Sequence, residues 1–252
     1  LCNLRLCAWI AFLVVINFPA WAAPKLRLCV DHYPPFQIIE DEQVTGENVV
    51  AARLFAQLID HELVIEQSPN FARCLRMLET GNVDMVAGLI QQPQRMTYAH
   101  FLPFRLDSAY RFISDLTVAD IHQYQALHQH TIGVSRDTFY FERFDQDKQL
   151  RKVVVNSIDI AMNMLLKGRF DLLIAPEITL ASLQRRFPQF VERLKVHPYQ
   201  FQEQRLIYFG VSRKHKLSIS DIQLQRTIEQ AYREQEFQKE IERFIESNVD
   251  WY

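Results

Sequence analysis

Two short segments of this chain carry side chains that could take hold of a small molecule. The first, Cys29-Val-Asp-His-Tyr-Pro-Pro-Phe36, sets Asp31 and Tyr33 in an aromatic, proline-stiffened loop where a brief apolar strand ends. The second runs from Gly81-Asn-Val-Asp84 through Met85-Val-Ala-Gly88 to Gln92-Pro-Gln-Arg95. It reads as a helix stop, a buried strand, and a loop with one arginine. A tyrosine offers a flat apolar face with a polar tip, and a guanidinium forks onto both oxygens of a carboxylate. A strand end leading to an aromatic loop, and another leading to an arginine loop, are what an open α/β sheet uses to grip a ligand. Binding is therefore the first chemistry these residues suggest.

Other chemistries find less support. Of the eight histidines, His128 and His130 stand two apart in a polar stretch without a partnered carboxylate, a weak metal signal better read as a solvated loop. Neither a Gly-x-Ser-x-Gly elbow nor a His-Glu-x-x-His pair occurs. The formal charge of −2 becomes −3 once Arg5 is set aside as part of a leader, and no basic block breaks the sequence, which argues against a nucleic-acid partner. No metal or cofactor is expected.

Residues 1–22 are expected to be a secretory signal peptide. Arg5 precedes an apolar run from Cys7 to Phe18, and Ala20-Trp-Ala22 fits a small-x-small cleavage site. The alternative is an N-terminal membrane anchor, although the run is short for a span. Two cysteines follow the leader, Cys29 and Cys74. In an oxidising compartment such a pair reads first as a disulfide, and otherwise as two separate buried thiols.

The elements that must position these residues alternate along the chain. Lys25 to Val30 reads as a strand, Gly46 to Asp60 as a helix with Val50, Leu54 and Leu58 on one face, and Glu62 to Gln67 as a strand. A helix from Phe71 to Thr80 stops at Gly81 and leads to a strand from Asp84 to Gly88. This βαβαβ order implies a parallel sheet covered on both faces. Extended stretches follow near Phe101 and from Ala109 to Ser114. The pattern then restarts with a strand at Thr131 to Ser135, a helix opening near Thr138, and a strand at Lys152 to Val155. Ser157 caps a further helix, Gly168 stops it, and Phe170 to Ala175 is a strand. A long strand from Arg205 to Ser212 and two amphipathic helices close the chain.

In this order and spacing the chain resembles the periplasmic substrate-binding proteins of polar amino-acid ABC transporters, solute-binding family 3, with a type II periplasmic binding fold. The resemblance rests on Cys29 to Phe36, Leu78 to Asp84, the strand leading to Gln92-Pro-Gln-Arg95, Thr131-Ile-Gly-Val134, Leu166 to Asp171, and Tyr208 to Lys214. It covers the chain beyond the leader. It implies an α/β fold of two lobes, each a mainly parallel sheet flanked by helices, linked by two crossover strands. The lobes are expected at 23–113 plus 206–252 and at 114–205, with hinges near Ile113 to Leu116 and Gln204 to Leu206. It further implies a monomeric receptor in the periplasm that closes on a small polar solute and hands it to a membrane permease, or to a membrane sensor. An enzyme on the same fold, resembling the cyclohexadienyl dehydratases, is the other class, and it would need a proton donor such as His32 or Glu177.

Residue by residue, the resemblance makes Tyr33 the aromatic cover of the ligand, Asp31 a nearby acid, and Arg95 the clamp on its α-carboxylate. Where the family places a Gly-Thr pair at a helix N-terminus, this chain has Asp137-Thr138, so Thr138 is the expected contact there. Where a serine or threonine often lines the arginine loop, it has Ile90. The acid expected to hold an α-amino group aligns with Pro176, with Glu177 beside it.

Overall fold

Ten strands in two sheets, each five strands wide, form the frame of the protein; the computed structural model describes residues 23–41 and 43–249, and the expected leader lies outside them. The first strand, β1 (Lys25–Val30), is buried at Leu26, Leu28, Cys29 and Val30, as a strand flanked on both edges and both faces must be. A short hairpin of β2 (Ile38–Glu40) and β3 (Gln43–Thr45) precedes α1 (Glu47–Leu58), β4 (Glu62–Gln67), α2 (Phe71–Thr80), β5 (Met85–Leu89), the single turn α3 (Pro93–Met96) and β6 (Ala99–Leu106). Asn70 starts α2 by accepting the Arg73 backbone N–H at 3.0 Å, and Gly81 ends it.

The second unit comprises β7 (Tyr110–Asp115), β8 (Thr131–Ser135), α4 (Glu142–Gln146), β9 (Arg151–Val155), α5 (Ile158–Leu166), β10 (Leu172–Pro176), α6 (Leu180–Arg186), α7 (Gln189–Arg193) and β11 (Leu194–Phe201). The chain returns through β12 (Leu206–Ser212), then α8 (Asp221–Arg233) and α9 (Glu236–Ser247). These last helices pack Leu224, Ile228, Phe237 and Ile241 into the core of the first sheet, beside Phe55, Phe104 and Phe209.

The sheets run β4-β1-β5-β12-β6 and β9-β8-β10-β7-β11. In each, three parallel strands are followed by one antiparallel strand, which arrives from the other sheet, and then by a fifth that runs with the first three. Each sheet with its helices forms a lobe. The disulfide joins Cys29 of β1 to Cys74 of α2, fastening a helix to an inner strand of the first sheet.

Two features differ from the sequence reading. The first crossing does not lie at 113–116. It runs through 107–109, because β7 is paired along its length with β10 and β11, Ile113 opposite both Leu173 and Val196. Backbone hydrogen-bonded on both edges cannot act as a hinge. The helix expected near Thr138 begins only at Glu142. Asp137 takes a positive φ of 56° in a turn after β8, and Phe139, Tyr140 and Phe141 follow in a non-helical run that points to different cores. Three consecutive half- or fully buried aromatics cannot share one helix face.

The crossings are tied together at 107 and 205. Asp107 N–H donates to the Arg205 carbonyl at 2.8 Å, the Arg205 guanidinium pairs with the Asp107 carboxylate, and Tyr110 OH donates to the same carboxylate at 3.2 Å.

Candidate ligand-binding site

A cavity of about 100 Å³ lies between the lobes and takes its lining from both. On the first lobe the loop after β1 closes on itself. Tyr33 N–H donates to the Gln37 carbonyl at 2.8 Å and Gln37 N–H returns to the Tyr33 carbonyl at 3.1 Å. Asp31 N–H donates to Gln37 Oε1 at 3.2 Å. The start of α1 holds this loop from below, with Asn48 N–H on the Phe36 carbonyl at 2.9 Å. A side chain at Gly46 would place its Cβ 2.5 Å from that carbonyl oxygen, so only glycine lets the loop and helix approach so closely.

Tyr33 stacks on Phe36 with centroids 5.9 Å apart, and its other side packs against the core of the second lobe. Phe139 makes the reciprocal gesture, reaching from the second lobe to the core of the first. Both aromatics line the cavity. Burial pushes the Asp31 carboxyl up to about 6, against backbone N–H groups of its own residue and of Phe71 that pull it down.

Arg95 leaves the turn α3 and is only 7 % exposed. Its Nη1 donates to the Ile90 carbonyl at 3.4 Å, and its Nη2 crosses the cleft to the Asp137 carbonyl at 2.5 Å. Its guanidinium carbon lies 5.8 Å from the Phe71 ring centre. Among the described residues no carboxylate forms an ion pair with it. Burial lowers its pKa from the usual guanidinium value, and the more distant Tyr98, Asp137 and Asp145 oppose that shift.

From the second lobe come Ser135, Thr138, Tyr140, Ser157 and Pro176. Thr138 reaches the cavity from the turn after β8, its N–H on the Ser135 carbonyl at 3.3 Å, and not from a helix N-terminus. Ser157 lies at the head of α5, where its Oγ accepts the Ile160 N–H at 3.3 Å. The structure thus brings together Asp31, Tyr33, Ile90, Arg95 and Thr138. Glu177 is absent from that lining: it is half exposed and pairs with Arg111 at 2.6 Å, on the far side of Pro176. His32 is absent as well, since its Nδ1 accepts the Ile39 N–H at 3.1 Å within the loop.

Several polar side chains of the lining escaped the sequence reading, and two of them, Arg105 and Asn48, carry a buried atom without a partner among the described residues. Arg105, at the end of β6, is 9 % exposed; its Nη1 donates to the Leu106 carbonyl at 3.0 Å, and its guanidinium carbon stands 4.5 Å over the Phe36 ring. Its Nε is buried with no partner, and no carboxylate pairs with it among the described residues. Asn48, 3 % exposed on α1, has a buried Oδ1 that likewise lacks a partner. Its amide rests on Gly88, whose φ of 88° and 2.7 Å clearance exclude a side chain there. A charged residue near the end of an apolar strand was the available signal for Arg105.

Comparison with known proteins places this architecture. Residues 26–247 match the family described as bacterial extracellular solute-binding proteins, family 3. Among curated proteins none matches the sequence. Many solved structures share the fold. One is an amino-acid ABC transporter substrate-binding protein from Streptococcus pneumoniae bound to L-arginine, 16% identical, covering 90% of this chain and 96% of that one at a TM-score of 0.72. A Salmonella typhimurium periplasmic binding protein described for high arginine specificity is 16% identical, with coverage of 88% and 99% and a TM-score of 0.70. The VFT2 domain of Bordetella pertussis BvgS is also 16% identical, with coverage of 87% and 93% and a TM-score of 0.67.

Proposed function

The chain belongs to the bacterial extracellular solute-binding proteins of family 3, and from that premise we propose that its cleft closes on an amino acid or related small carboxylate in the periplasm. The solute is then delivered to the membrane permease of an ABC transporter. One observation carries the reading of the ligand: Arg95 is a buried cation in the cavity, bonded to carbonyls and, among the described residues, to no carboxylate. A charge removed from water without a counter-ion is costly, and a ligand carboxylate supplies the missing partner with fork geometry. The arginine-binding proteins of the same fold support a ligand of this general kind.

Closure follows from where the contacts stand. A ligand held by Arg95 and Tyr33 on one lobe and by Thr138 on the other gains all its contacts only when the lobes meet. It therefore favours the closed arrangement by the worth of those additional contacts. The likeness to a domain of BvgS supports a second role for the same closure, signalling to a membrane sensor. The reading as a receptor rather than an enzyme draws on the family and on the placement of His32 and Glu177, the proton donors an enzyme was expected to use, outside the cavity lining.

A thermal-shift screen of amino acids, polyamines and small carboxylates tests the proposal. A ligand at about 100 times its Kd stabilises the fold by about 2.7 kcal/mol. A carboxylate-bearing solute is expected to raise the Tm of the parent and to raise that of Arg95→Ala by about half as much or less at the same concentration. Polyamines alone raising the Tm, with equal effect on Arg95→Ala, would contradict the reading.

A further inference from the structure

Arg105 is nearly as deeply buried as Arg95. Both line the same cavity. Two other charged groups of that lining have local partners: Asp107 is held by Arg205, and Arg136 donates from Nε to Asn156 Oδ1 at 2.9 Å. Among the described residues, two cations without carboxylates therefore face one small space, with Asp31 as the only other charged side chain of its lining not engaged by a side-chain partner.

Their placement is set by the sheet. Arg105 of β6 lies opposite Ile207 of β12, and β12 lies between β6 and β5, the strand that leads to Ile90 and Arg95. With neighbouring strands about 4.8 Å apart, β5 and β6 are about 10 Å apart across the floor of the cleft. Ile90 and Ile207 both line the cavity between them. The floor is thus apolar in the middle and cationic at either end.

We propose that the ligand carries two acidic groups, one taken by Arg95 and the other by Arg105, with a short aliphatic link over Ile90 and Ile207. This deepens the receptor reading and rests on it. The second acid supplies the acceptor that the buried Arg105 Nε lacks. The Phe36 ring covers one side of the Arg105 guanidinium at 4.5 Å, which leaves its other sides for the ligand. The unpartnered Asn48 Oδ1 and the Asp31 carboxyl are acceptors, and they suit an ammonium group on the same molecule. An acidic amino acid meets every one of these groups. A cationic side chain in the same place would face Arg105 at close range and be repelled.

Isothermal titration against L-glutamate, L-aspartate, glutarate, succinate, L-glutamine and L-arginine tests the assignment. The expected result is that at least one diacid binds about tenfold or more tightly than its amide or than L-arginine, since one charge-assisted bond separates them. Glutarate or succinate binding as well as the amino acids assigns no role to the ammonium but upholds the two-acid pattern. Arg105→Met should abolish the preference of glutamate over glutamine, and Arg105→Lys should keep part of it. A stapling role for Arg105 would change overall stability and leave that ratio alone. Tighter binding of L-glutamine or L-arginine than of every diacid overturns the assignment while leaving the receptor reading intact. Binding of none of the diacids overturns it too.

Discussion

In both sheets the first of the three adjacent parallel strands lies between the other two, and the strand arriving from the other lobe separates the last of the three from the strand that leaves. On this shared plan the lobes are equipped differently. The first puts Asp31, Arg95 and Arg105 into the cleft; the second offers hydroxyls and aromatic rings, and its one charged lining residue, Arg136, is exposed and bonded to Asn156. The difference separates recognition from enclosure. Charge on one lobe allows a ligand to dock there first, and neutral groups on the other can close over it without a second desolvated charge. The lobes also differ in how they are held. The first has the disulfide across β1 and α2, whereas the second relies on an aromatic cluster in which Phe141 stacks on Phe201 at 3.8 Å.

The largest expected effect breaks the comparison of stability. Replacing Cys29 and Cys74 by alanine should cost about 2–4 kcal/mol, because the bridge closes a loop 45 residues apart in sequence. Hydrogen exchange should show the loss concentrated in β1, α2 and β4. Uniform loss of protection in both lobes would mean that they unfold as one unit.

Next in size is the contrast in binding. Arg95→Ala should weaken a carboxylate ligand by about 1.5–3 kcal/mol, with Arg95→Lys recovering only part, since a point charge replaces a fork. Equal affinity of Arg95→Ala and the parent, measured by titration, would remove the charged lobe from recognition.

Each lobe also buries one carboxyl whose pKa is raised to about 6: Asp31 in the first, through burial, and Asp145 in the second, again mainly through burial. A folded value above the unfolded one means that the neutral form is favoured by folding. The stability this provides is complete below about pH 4 and is lost as pH rises through 6. Asp31→Asn should therefore raise the Tm of the ligand-free protein at pH 7, by about 1–3 kcal/mol in stability, and flatten the slope between pH 4 and 6. Asp145 should keep the remainder of that slope. A steeper slope in Asp31→Asn would show that the acid is stabilising where it stands.

The smallest effect sharpens the contrast from the other side. Thr138→Ala should cost ligand affinity about 0.5–1.5 kcal/mol, the worth of a neutral hydrogen bond. A loss equal to that of Arg95→Ala would show recognition shared evenly between lobes.

The sequence made the alternating elements legible because their signals are local: Asn70 and Ser157 cap helices, and Gly81 ends one. Arg95 was legible as well, as the one arginine in a loop just after a buried strand. Arg105 was hidden by the backbone. Between Ile207 and Tyr208 the register of β12 on β6 shifts, so that Tyr208 faces Pro103 and Ile207 faces Arg105. The irregularity at Phe104 lets consecutive residues Phe104 and Arg105 both be buried, which strict alternation forbids. The edge strand β11 escaped notice for a related reason, with Pro198 and a shifted register between Val196 and Gln200 spoiling its pattern. Thr138 was placed on the wrong element because a positive φ at Asp137 is invisible in composition.

Small-angle scattering with and without a ligand identified by the thermal screen tests the central claim most directly. The two crossings at 107–109 and 202–205 are the only chain links between the sheets among the described residues, so the lobes can turn about them. The account predicts a smaller radius of gyration on adding just enough ligand to saturate the parent, and a smaller decrease in Arg95→Ala at the same concentration. Tight binding that leaves the radius of gyration of the parent unchanged would contradict closure, whatever the ligand.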